Sequence, residues 1–191
     1  MGESIPPEIR AILRHFLAAL AYRTQKALRG AQADFADFSA GSGTRTPREL
    51  VRHMASVLGY ARTFFTGGVF RAEPLDSLDA EVDRFHGIVA DLAQILGSGA
   101  MLREITPEQL LQGPFSDAMT HAGQLALLRR LTGAPVPSEN FVFADISAQR
   151  LDAAQPLPAA PTPAWMGQVV GMAWRLARWT ARLRQGRQRQ G

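Results

Sequence analysis

Asp117 and His121 lie four residues apart in the stretch Asp117-Ala118-Met119-Thr120-His121. On a helix that spacing sets the two side chains one above the other on a single face. An imidazole and a carboxylate are suitable ligands for zinc, nickel, iron or manganese, and an i, i+4 pair presents both to one ion without distorting the backbone. A third ligand must come from another element, and His53, among Leu50, Val57 and Leu58 in an earlier apolar-periodic segment, meets that need. Three protein ligands leave positions open for water or substrate, the mark of a reactive site as opposed to a closed structural one. Taken alone, the Asp-x3-His pair also suits a surface or hydrogen-bonded pair, and a lone inward histidine also suits a satisfied core residue.

The elements that must position these residues read as helices. Ile9, Ile12, Leu13, Phe16, Leu17, Leu20 and Leu28 recur at helical spacing over residues 7–28, and Gly30 follows as a stop. Thr46-Pro47-Arg48-Glu49 has the form of a capping box with proline at the first helical position, so a second helix is predicted from there to about Phe65, before Gly67-Gly68. Asp76 or Ser77 caps a third, whose stripe Leu78, Val82, Phe85, Val89, Leu92 and Leu96 ends at Gly97. Thr106-Pro107-Glu108-Gln109 opens a short helical turn, Gly113-Pro114 resets the chain, and a fourth long helix spans about Phe115 to Leu131. Four long amphipathic segments and no alternating strand predict an all-α four-helix bundle. The connections on either side of the third helix are long enough for a crossover.

Residues 134–164 are rich in Pro, Ala and Ser and predict irregular chain, with Asn140-Phe141-Val142-Phe143 as a short extended piece across the bundle. The bundle is assigned to residues 1–150. Residues 151–191 are assigned to a linker and an amphipathic C-terminal helix carrying Trp165, Trp174 and Trp179. Past Asp152 there is no acidic residue, while Arg175, Arg178, Arg182, Arg184, Arg187 and Arg189 crowd the tail, so the formal charge of +4 is one-sided. Packing of that helix on the bundle or on a partner subunit, as in a homodimer, is the first expectation. Peripheral contact with an anionic membrane comes second and nucleic acid last.

The chain of 191 residues, 46% hydrophobic, suffices for one well-formed core. It has no cysteine, which excludes disulfides, Cys-ligated zinc and a thiol nucleophile of its own. No run of about 18 apolar residues and no basic-then-apolar leader is evident, so a cytoplasmic protein is expected.

Leu50-Val51-Arg52-His53-Met54-Ala55-Ser56-Val57-Leu58-Gly59-Tyr60 and Asp117-Ala118-Met119-Thr120-His121-Ala122-Gly123-Gln124-Leu125 together resemble the DinB-like (YfiT-like) metalloenzyme superfamily. In that family one histidine comes from the second helix and two ligands, four apart, come from the fourth, in a stretch of the form His-x3-His-x-Gly-Gln. Glu139 to Ile146 also looks like a segment that follows the fourth helix in some members. The resemblance covers roughly residues 8–150. It implies His53, Asp117 and His121 as ligands, with aspartate standing where histidine is commonest, a change that favours harder ions. It further implies a divalent-metal-dependent enzyme, with zinc or nickel ahead of iron or manganese. In such an enzyme a metal-activated low-molecular-weight thiol, or water, attacks a small-molecule substrate in the bundle cavity. No residue is assigned as general base. The alternative is a non-catalytic metal- or ligand-binding bundle acting as a dimeric interaction or sensing module. Gln124 is a candidate to orient a ligand or a water and equally to hydrogen-bond across the bundle, and Tyr60 reads first as a packing residue and second as the lining of a cavity. His15 reads as a solvent-edge or hydrogen-bonded residue and His86, one position past Phe85, as lying off the core axis; neither is expected to bind metal.

Overall fold

The computed structural model describes residues 4–158; the predicted C-terminal helix lies outside them. Among the described residues the protein is all-α with no strand. Its α-helices are α1 (Pro7–Leu28), α2 (Pro47–Thr66), α3 (Leu78–Ser98), the single turn α4 (Pro107–Leu110) and α5 (Ser116–Leu131). Residues 4–136 and 146–156 form one compact unit, and residues 137–145 belong to a second. No helix among the described residues is long and apolar enough to cross a membrane.

Local chemistry accounts for most of the helix ends. The Thr46 hydroxyl accepts from the Glu49 N–H while the Glu49 carboxylate accepts from the Thr46 N–H, and Gly67 closes α2 at φ 78°. Ser77, not Asp76, caps α3 by accepting from the Ala80 N–H at 3.1 Å. The predicted stop at Gly97 is passed, and Gly99 takes the left-handed cap at φ 81°. Gly113-Pro114 resets the chain as predicted: Gly113 leaves helical geometry (φ −87°, ψ −105°) and kinks the Leu111–Phe115 π-turn between α4 and α5, and the Ser116 hydroxyl donates to the Leu111 carbonyl at 2.7 Å.

Each long helix packs on two others: α1 on α3 and α5, and α2 on α3 and α5, with little contact across the α1–α2 and α3–α5 diagonals. The links leaving α1 and α3 therefore join helices that are not neighbours. The link from α2 to α3 joins two that are, so the predicted room for crossing there is not used. The core sits between the four, with Leu13, Leu17, Leu20, Leu58, Leu92 and Leu125 fully buried. Each contributes about 1.5–3 kcal/mol relative to an exposed leucine. Along α1 the inward stripe runs Leu13, Leu17, Leu20, Thr24 and Ala27, which turns Ile12 outward although its apolar type predicts burial. The predicted extended piece at Asn140 to Phe143 is instead a 3-10 turn, Phe141–Phe143. The Asn140 side chain accepts from the Val142 N–H at 3.2 Å there, a local bond that favours a turn over a strand.

His15 is exposed as expected, but His86 is not off the core: only 5% of it is exposed. Its Nδ1 lies 2.7 Å from the Leu151 carbonyl, to which it donates, and its Nε2 lies 3.4 Å from Gln25 Oε1. The segment 146–156, docked in this unit, supplies the cover that a helical wheel of α3 could not reveal. Burial pushes the His86 pKa down, against the Leu151 hydrogen bond and the charges of Asp152 and Asp83. The lowered folded-state pKa makes the stability contribution complete above the unfolded value of about 6.5, falling at up to about 1.4 kcal/mol per pH unit as pH drops below it. Urea midpoints at pH 7.5 and 5.5, with chelator present, are expected to differ less in His86→Gln than in the wild type. Equal differences would refute this account.

Candidate metal centre

His53 sits one and a half turns into α2, and Asp117 and His121 occupy the first half of α5. Because α2 and α5 are packed neighbours, the separate predictions for the two helices converge on one place. The histidine nitrogens and a carboxylate oxygen of His53, Asp117 and His121 all lie within 4.8 Å of one another. His121 Nε2 is 3.3 Å from Asp117 Oδ1, and His53 Nε2 is 3.9 Å from Asp117 Oδ2. The two imidazoles meet edge to face, their ring centroids 4.7 Å apart. The site is graded in depth: His121 is buried, His53 half-buried and Asp117 exposed.

Proton placement is governed by Gln124, one turn beyond His121. Its Oε1 is 2.8 Å from His121 Nδ1, and an amide oxygen accepts only, so Nδ1 carries the proton in the neutral ring. Nε2 is then a lone pair, buried and without any hydrogen-bond partner, 3.3 Å from a carboxylate oxygen. Two acceptors this close, one of them buried, repel unless something positive lies between them. The His53 pKa lies below the usual histidine value. Burial lowers its pKa most, the positive charges of Arg45 and His121 add to this, and Asp117 opposes them.

These residues fit a divalent ion. Ligand atoms at about 2.0–2.2 Å from a common ion stand roughly 3–4 Å apart. The two carboxylate separations fall in that range, while the overall span is a little wider. The outer partner on His121, a side-chain oxygen on Nδ1, is the usual device for fixing a ligating tautomer and ring orientation. A cavity of about 680 Å3 opens beside Asp117, lined among others by Ser56, Val57, Tyr60, Gln112 and Thr120, so Tyr60 takes the second of its two readings, not the packing role expected first. Its volume suits a small molecule. Sequence reasoning missed Arg45, which acts on His53 from the residue before the α2 cap. Its place ahead of the cap was the only signal available.

Fold and site together define an all-α protein whose His53, Asp117 and His121 could hold a metal ion. Comparison of the chain with models of protein families, with curated proteins and with solved structures finds no match.

Proposed function

We propose that this protein is a divalent-metal-dependent enzyme with the DinB-like four-helix bundle arrangement, acting on a small molecule held beside Asp117. The observation that carries the reading is the buried, unpartnered Nε2 of His121, 3.3 Å from Asp117 Oδ1. His53 and His121 would supply neutral imidazole nitrogens and Asp117 the single negative charge. A divalent ion held there lowers the pKa of a water or thiol and polarises an oxygen of the substrate. Gln124 keeps the His121 lone pair directed into the site, and the packed α2–α5 pair fixes the separation of His53 from the other two ligands. Asp117 is the exposed member and borders the 680 Å3 cavity, so the accessible side of the centre is also the side where a substrate fits. That juxtaposition favours a reactive centre over a purely structural one.

Elemental analysis of protein purified without a histidine tag is expected to find close to one equivalent of a divalent ion. Zinc, nickel, ferrous iron and manganese are to be titrated separately into chelator-treated protein. His53→Ala is expected to lose the ion while keeping the helical circular dichroism spectrum. Absence of any stoichiometric ion, or its retention in the variant, would defeat the assignment.

A further inference from the structure

A second cavity lies further along the same helix pair. About 580 Å3 in volume, it is bounded by the loop at residues 40–45 and by the second half of α5. Leu50 and Leu128 form a buried floor, whereas Leu127 and Leu131 are 54% and 55% exposed. Single exposed leucines are ordinary on a protein surface. Four leucines converging on one concavity form an apolar binding wall of the kind found in small-molecule sites.

The polar groups around this wall are unusually one-sided. Arg45 is the only charged side chain in the lining. Among the described residues it makes no hydrogen bond and no ion pair within 4.0 Å. The nearest acid along the chain, Glu49, accepts from the Thr46 N–H at 2.9 Å and faces Arg52 at 4.0 Å. Gln124 also lines the cavity, and because its Oε1 is taken by His121 Nδ1 its NH2 group remains to donate. The Thr44 hydroxyl spends its proton on the Gly41 carbonyl at 2.8 Å. The side-chain groups offered to a ligand are thus a guanidinium and an amide donor beside leucines, a combination that selects an acceptor-bearing, negatively charged head on an apolar body.

We propose that this leucine cleft binds a small amphiphilic carboxylate, its apolar body on Leu127, Leu128 and Leu131 and its head paired with Arg45. That this ligand is a substrate or co-substrate rests on the metal-centre reading, since Gln124 is shared by the cleft and the ligand His121. The binding itself does not rest on it. Two cavities flanking one centre suit a reaction that joins two partners.

The test is calorimetric titration of sodium octanoate, with octyltrimethylammonium as the cationic counterpart, into chelator-treated and zinc-loaded full-length protein. Saturable one-to-one octanoate binding is expected in both states, with the cation at least about tenfold weaker. Arg45→Gln and Leu127→Asp, both at surface positions, are expected to weaken octanoate about ten- to a hundredfold, and Leu127→Asp to do so without changing zinc stoichiometry. His121→Ala is expected to lose zinc and keep octanoate. Equal binding of the two amphiphiles, or unchanged octanoate affinity in both cleft variants, would overturn the proposal. So would a Leu127→Asp change in sedimentation mass in place of affinity, because the cleft would then be a face between copies. Octanoate binding in a protein that takes up none of zinc, nickel, ferrous iron and manganese would sink the metal reading and leave the cleft standing.

Discussion

His121→Ala is expected to abolish stoichiometric divalent-ion binding, with a loss of affinity larger than any other single change at the centre. His121 is the most buried of the three ligands and the one whose ring is set by a partner, through Gln124 Oε1 at 2.8 Å from Nδ1. Removing it leaves His53 and the exposed Asp117, two ligands on two different helices. Gln124→Leu gives the graded comparison. It retains all three ligands but frees the ring and the tautomer, and changes to such outer partners cost about 10–100-fold in metal affinity. The expected order of affinity is therefore wild type, then Gln124→Leu, then His121→Ala with no measurable site. Competition against a chromogenic chelator measures it. In metal-free protein His121→Ala removes an unpartnered buried acceptor, so its unfolding midpoint should move far less than its metal affinity does. A variant that unfolds but still holds the ion in its folded fraction would contradict the assignment.

Arg129→Met is expected to destabilise the fold by about 3–5 kcal/mol, a large share of the roughly 5–15 kcal/mol that holds a domain together. Arg129 on α5 is only 5% exposed and has no carboxylate in its hydrogen-bond set. Its Nη1 donates to the Ala27 and Arg29 carbonyls at 3.0 Å, its Nη2 to Gly30 at 3.2 Å and its Nε to Ala134 at 3.1 Å. Three of those carbonyls belong to the end of α1 or the turn after it, where helical partners run out. One planar fork thus ties the C-terminal end of α1 to that of α5, and the Phe35 ring covers it with the centroid 5.5 Å from the guanidinium carbon. Methionine fills similar volume but leaves the carbonyls without donors. Arg129→Lys should recover only part of the loss, because an ammonium cannot address acceptors in so many directions at once. Urea unfolding should show a lower midpoint with an unchanged slope; a change below about 1 kcal/mol would mean that water replaces the guanidinium at little cost.

Much of the secondary structure was legible because its causes are local. Pro7, the Thr46 and Thr106 capping boxes and Gly67 act within a turn of themselves, and the helices they bound start and stop close to where those residues stand. Asp117 and His121 share a face of α5 for the same reason, since four residues along one helix is a local distance. Misreadings arose where a local signal competed with its surroundings. Gly97 looks like a stop but lies inside α3, where a side chain would come 3.6 Å from Arg14. Gly113-Pro114, by contrast, reads as a break and is one, since Gly113 leaves helical geometry at ψ −105°.

Only the tertiary structure decided what meets across helices. That His53 lies beside His121 depends on α2 packing against α5, and nothing within either helix encodes that choice. The burial of His86 depends on Leu151, sixty-five residues later in the chain. The role of Arg129 as a clamp exists only because α1 ends beside it. The His53–Asp117–His121 group began as two spacings on separate helices. Hydrogen bonding along each helix set those spacings, and burial of the faces between the helices set the few ångströms that separate the three side chains.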